Sequence, residues 1–186
     1  LARILRPAWI CGDAGLWHFG PRERGHMILL PPILCAEGAR LMAEGIVRLR
    51  EATGLEVLPE NPPGQIYLGD LPLLEFFARV CEEADTGMLL DCAHLAMYQR
   101  VAGRDALAGL DRFPMERVVE MHIAGGSELE VDGFPFVEDD HGPALLPETW
   151  KILEHVARRA PNLKAVVFEC ERNPLEAVRP HFARIA

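Results

Sequence analysis

The chain lacks the features that would fix it in a membrane, in an oxidising compartment or on nucleic acid. No apolar run in its 186 residues reaches the ~18 needed to cross a bilayer as a helix. Its first residues do not read as a secretory signal. The five cysteines form no CxxC pair and fall short of a disulfide scaffold, which points to a reducing, cytoplasmic setting. Basic residues are the minority: 19 Lys and Arg against 28 Asp and Glu give a formal net charge of −9. That is the wrong sign for gripping a phosphate backbone, so neither a nucleic acid nor a membrane is an expected partner. No GxGxxG follows a strand, which removes support for a dinucleotide fold. No GxSxG is present, and nothing beyond nearby histidines supports a cysteine nucleophile. No repeat or internal linker divides the chain, which reads as a single domain over 1–186.

What is present is alternation. Short apolar segments end in "ICGD", "VLPEN", "LLDCAH", "VVEMHIA" and "VVFECE". Between them lie amphipathic stretches with helical spacing. One is 36–54, with Leu41, Ile46, Val47 and Leu49 available for a face and Gly54 as C-cap. The others are 71–85, the sequence from His94 to about Gly109, 146–161 and 174–186. Such alternation predicts a parallel sheet covered by helices. The stretch 125–146 reads as a long acidic, glycine-rich loop of the kind that often carries function.

In parallel β/α folds of the barrel type, chemistry gathers at the carboxyl ends of the strands. In order, these segments end at Asp13, Glu60, Asp91 with His94, His122, and Glu169 with Glu171; the loop adds Asp139, Asp140 and His141. Taken singly, Asp13 suits a turn, Asp91 a helix N-cap, and His122 a core histidine. Together, carboxylates and imidazoles at every strand end suit iron, manganese or zinc better than magnesium or calcium. Asp139 and His141 alternate, so an extended segment aims both into the site and turns Asp140 to solvent. Glu120 and Glu171 are placed to orient histidines. Cys11, Cys35, Cys81 and Cys170 read as packing residues, and Cys92 lies beside the proposed ligands.

The segments "LPENPPG", "GMLLDCAHLAMY", "VVEMHIAGG", "EDDHGP" and "VVFECERNP" stand in the order and at about the spacing of one family. The chain resembles the multinuclear non-haem iron-dependent oxidative enzymes, from about residue 7 onward. The resemblance implies a xylose-isomerase-like TIM barrel with two or three irons at its mouth. It also implies use of dioxygen to remodel cysteines of a ribosomally made peptide, with a partner protein that presents the peptide. Carried over by position, it makes Glu60, Asp91, His94, His122, Asp139, His141 and Glu169 the metal ligands, with Glu60, Asp91, His122 and Glu169 central to catalysis. Members commonly carry a histidine after the first aspartate; here Ala14 stands there, and neither of the neighbouring histidines, His18 and His26, fits the same spacing. About five of eight βα units are present, so the expectation is the C-terminal part of a barrel whose N-terminal units lie outside this sequence. The competing readings are a divalent-metal sugar isomerase, a phosphodiesterase on the same fold, and a degenerate peptide- or partner-binding domain.

Overall fold

A computed structural model describes residues 2–16 and 29–186. Its centre is a sheet of five parallel strands in the order β1-β2-β3-β4-β7. These are β1 (Trp9–Asp13), β2 (Glu56–Glu60), β3 (Met88–Asp91), β4 (Val118–Ala124) and β7 (Ala165–Glu169). The sheet curls into a half-barrel. Strand neighbours in space are neighbours in sequence, apart from a small antiparallel hairpin inserted after β4.

The helices follow local chemistry. A short α1 (Ala2–Leu5) precedes β1. Cys35 caps α2 (Ala36–Thr53) by accepting from Gly38 N, and Gly54 closes it at φ 71°, a left-handed conformation that favours glycine. Next come α3 (Leu73–Ala84) and α4 (Cys92–Val101), then α5 (Pro147–Ala157) with Pro147 in its first turn, and α6 (Leu175–Ile185). Helical sequence was expected to continue to about Gly109. Instead α4 stops at Val101, and Gly103, two residues on, turns the chain at φ 64°.

The core lies between the helices and the convex face of the sheet. Leu74, Phe76, Phe77, Val80 and Cys81 of α3, Met88 and Leu90 of β3, Met121 and Ile123 of β4, and Ile152 and Val156 of α5 belong to one buried cluster. Each such side chain contributes about 1.5–3 kcal/mol by leaving water. The buried face of α2 differs from expectation. Ala39, Ala43 and Ile46 point inward, while Leu41 and Leu49 are 50% and 43% exposed. Small residues allow α2 to approach α3 closely, and this turns the leucines toward the edge of the sheet at β1.

The stretch read as a loop contains β5 (Ser127–Val131) and β6 (Phe134–Glu138), an antiparallel pair. Asp132 and Gly133 form its turn at φ 51° and 81°, the doubly left-handed geometry for which Asp-Gly is suited. The flanking "SELEV" and "FPFVE" have strand character, so the signal was present and was outweighed by glycine and acid content. No helix among the described residues is long and apolar enough to cross a membrane.

Candidate metal centre

Strand register decides which side chains meet. Asp13 pairs with Glu60 across β1 and β2, and Asp91 with His122 across β3 and β4. Strand alternation then puts Glu120 and His122 on one face. β4 runs two residues past His122 to Ala124, which pairs with Glu169. All of these residues open onto the concave side at the carboxyl end of the sheet.

The join between β2 and β3 is unusual. Only Glu60 and Leu89 pair in that ladder. The fully buried side chain of Asn61 extends it, donating to Asp91 O (3.0 Å) and accepting from Asp91 N (2.9 Å). Asp91 also caps α4, its Oδ1 accepting from His94 N at 2.7 Å. The N-cap reading of Asp91 and the functional one therefore hold together. The cap uses one carboxylate oxygen and leaves the other facing the site.

Three histidines share one arrangement. His94 Nδ1 lies 2.8 Å from Asn61 O, an acceptor only, so Nδ1 carries the proton and Nε2 is turned to Asp139 Oδ2 (3.1 Å) and Asp91 Oδ2 (3.7 Å). His122 Nε2 donates to Glu120 Oε1 (3.2 Å). Its Nδ1 is 3.4 Å from Glu60 Oε1 and 3.5 Å from Glu169 Oε1. His141 Nδ1 is held by Glu171 at 3.0 Å, and its Nε2 faces Asp139 Oδ2 (3.6 Å) and Glu169 Oε2 (3.7 Å). In each ring one nitrogen is anchored outward and the other is turned toward carboxylates. Metal-ligating histidines are oriented in this way.

The donor set fits a cation. Asp91 Oδ2, His122 Nδ1 and Asp139 Oδ1 are buried and make no hydrogen bond, a cost of about 1–3 kcal/mol each unless something else satisfies them. Asp13, Glu60 and His94 form one group with all candidate donor atoms within 4.8 Å of one another; Glu60, Asp91 and His122 form a second. Glu60 belongs to both, which suits a carboxylate shared by two ions.

The electrostatics agree. Burial alone would lower the pKa of His94, but Asp91 and Asp139 push it up to about 10. Burial likewise opposes the charged form of His122, and Glu169 and Glu60 carry it to about 11. Burial raises Asp91 to about 6 and also moves Asp13 and Glu60 upward, against the pull of the histidines. Burial resists ionisation at Asp139 and Glu169 too, yet His94 beside one and His122 beside the other hold both below the usual range. Among the described residues, Glu60, Asp91, Asp139 and Glu169 face histidine and no lysine or arginine. Protons on imidazoles balance the anions here, a role that a metal ion can take over.

The chain matches the family model described as "RiPP precursor modification enzyme MbnB/TglH/ChrH" over residues 18–182. The chain belongs to this family. A UPF0276 protein of Anaeromyxobacter is 28% identical over 90% of this chain and 58% of its own length. One of Acinetobacter baylyi is 30% identical over 72% and 46%, and one of Neisseria meningitidis serogroup B is 29% identical over 88% and 60%. The chain thus spans about half to three fifths of the curated relatives it matches.

Within this family member, all seven residues singled out from the sequence converge on one place. Asp139 and His141 do so by a different route from the one expected. His141 has φ 53°, so the segment is bent rather than extended, and Asp139 still reaches His94 while His141 reaches Glu169. Asp140 does turn outward, accepting from Ser127 Oγ and from Gly142 N. Ala14 donates its N–H to Glu60 O (3.0 Å) and brings no ligand; His18 and His26 lie outside the described residues. Asp13, read as a turn residue, stands 3.9 Å from His94 Nδ1 and belongs to the cluster.

Glu120 and Glu171 hold histidines, as expected. Trp9, which the sequence reading passed over, donates Nε1 to Glu120 Oε2 from 111 residues away. Cys11 is exposed to solvent rather than packed in the core, though neighbouring atoms partly cover its thiol, and this partial burial together with Glu120 and Glu60 pushes its pKa up to about 12. Local pattern could not have revealed either contact, since both depend on the pairing of β1 with the sheet.

Proposed function

We propose that this chain carries the metal-binding part of a multinuclear non-haem iron-dependent oxidative enzyme. The proposed reaction uses dioxygen to modify cysteine residues of a ribosomally made peptide in the cytoplasm, with a partner protein presenting the peptide. The observation that carries the reading is the shared arrangement of His94, His122 and His141, each anchored outward with its other nitrogen aimed among carboxylates. Family membership supports the peptide substrate. The fold that goes with it is a xylose-isomerase-like TIM barrel of which these five strands form part. The parallel strand order and the longer relatives favour it.

The ligand set would be Glu60, Asp91, His94, His122, Asp139, His141 and Glu169, and Asp13 joins it. Bound iron would supply the redox capacity to activate dioxygen and the Lewis acidity to bind a thiolate. The chain's own groups do the positioning. Asn61 O orients the His94 ring, Glu120 that of His122 and Glu171 that of His141, so the inward nitrogens are the ones an ion would meet on displacing their protons. Trp9 in turn orients Glu120. Asn61 locks the ends of β2 and β3 together, which keeps Glu60 and Asp91 at a fixed separation.

The test is reconstitution with ferrous iron, air and a cysteine-bearing precursor peptide encoded beside the gene, read by mass spectrometry. The expected outcome is a mass change at cysteine that requires both iron and dioxygen. Turnover with magnesium or zinc and no oxygen would replace the reading with a hydrolytic or isomerising one.

A further inference from the structure

The two edges of the hairpin β5–β6 are finished differently. Its turn is Asp132 and Gly133, and Val131 pairs with Phe134 beside it. In a hairpin with a two-residue turn, alternate pairs bond each other. The pairs between them turn their backbone groups outward. Here the outward pairs are Glu130 with Pro135 and Glu128 with Val137. Val137 bears this out, since its N–H donates to Gln65 Oε1 at 3.0 Å and its C=O accepts from Gln65 Nε2.

The β6 edge is therefore closed. Pro135 has no N–H to offer, and Gln65 clamps both backbone groups of Val137. The β5 edge is open. Among the described residues, nothing bonds the N–H or C=O of Glu128 or Glu130 from outside the hairpin. All five residues of β5 are exposed. The strand also starts beside the candidate metal centre. Its first residue, Ser127, donates its hydroxyl to Asp140, which lies between Asp139 and His141.

We propose that the β5 edge docks the substrate peptide as a third strand, held by backbone hydrogen bonds to Glu128 and Glu130. The proposal rests on the peptide-modifying reading above. Two donors and two acceptors at strand spacing are complemented by an extended polypeptide backbone. A second copy of β5 is a poorer occupant. Antiparallel pairing would set acidic side chains of both copies against one another, and Arg100 meets only Glu128. Leu129 and Val131 are exposed on the other face. Apolar side chains at every second position of the peptide would lie beside them. A chain running along β5 arrives at the loop side of the metal centre.

The test is anisotropy titration of the metal-free protein with a fluorescein-labelled decapeptide of alternating threonine and valine. Two further probes carry N-methyl groups, one on every threonine amide and one on every valine amide. The unmodified peptide should bind. Methylation of one alternate set should abolish binding and methylation of the other should not, because only one edge of the peptide bonds to β5. Glu130→Pro removes one outward N–H and no bond within the hairpin, and Pro135 already stands across from it. It should weaken binding about tenfold or more, while Glu130→Ala should stay within about threefold of wild type. Circular dichroism checks that both variants fold. Docking is read without metal, so it stands or falls apart from the oxidative reading. No binding of the unmodified peptide, equal binding of the two methylated probes, or unchanged binding by Glu130→Pro would overturn the proposal. Concentration-dependent dimerisation abolished by Glu130→Pro would also overturn it, making the edge a contact between copies.

Discussion

The two halves of the candidate metal centre are built differently. On the sheet side, the side chains of Asp91, His94, Glu60 and His122 are 0%, 4%, 8% and 12% exposed. They stand on β2, β3, β4 and the first turn of α4, where the backbone is held by strand pairing on both sides and by the core beneath. On the loop side, Asp139, His141 and Glu169 are 17%, 25% and 26% exposed, and the outer partner Glu171 is 59% exposed. Here a bent segment after a hairpin and an edge strand do the positioning. One half is thus preorganised by the fold, while the other has room to adjust. The buried half should couple metal binding to stability, and the open half should not.

Asn61→Ala should break that distinction most severely. It strips the buried Asp91 N–H and C=O of the bonds that Asn61 supplies and opens a ladder that has one other pairing. A loss of about 2–4 kcal/mol is expected in urea unfolding, together with loss of metal uptake. Glu120→Gln should follow. Removing such an outer partner commonly weakens metal binding by about 10–100-fold, and Glu120 is buried at 6% exposure, which favours the upper end. Glu171→Gln, in water, should cost less than about tenfold; equal losses from the two variants would erase the contrast between halves.

His141→Ala should lower metal content while shifting stability by less than about 0.5 kcal/mol, the range for partly exposed positions. Metal should also slow amide exchange in 139–143 more than in β3, because ligation offsets ordering entropy where the chain is free to move. The smallest effect concerns Arg100, which bonds Glu148 at 2.8 Å outside the site. Burial opposes the Glu148 charge slightly, but Arg100 holds its pKa below the ordinary value. A depressed folded-state pKa contributes stability above the unfolded value that is lost as pH falls through the folded one. Arg100→Ala should therefore cost about 0.5–1 kcal/mol at pH 7, and the gap to wild type should close on acidification. A gap that widened in acid would show the pair has no such linkage.

The buried half was legible because it obeys local rules. Each strand ends in a residue type that needs a reason to be there, and Asp91 with His94 follows one turn of helix. The open half was legible only in composition. "EDDHG" marked a site, but the bend at His141 and the hairpin before it depend on turn geometry that the glycine and acid content masked. The Trp9–Glu120 bond, the Gln65 clamp on Val137 and the Asn61 bridge join residues 30 to 111 positions apart. No local periodicity encodes them. The inward face of α2 was misjudged for a related reason: close approach to α3 selects alanine, while hydrophobic spacing alone favours leucine.

The central claim is that the strand ends form one transition-metal site held by outward-anchored histidines. The most direct test is anaerobic titration of the protein with ferrous iron, quantified by elemental analysis and Mössbauer spectroscopy, beside His122→Ala and Asp91→Ala. The account predicts saturable uptake of at least two irons, with nitrogen and oxygen ligation, and a fall in both variants while each remains folded. No uptake of iron or any other transition metal, or uptake unchanged by His122→Ala, would contradict it.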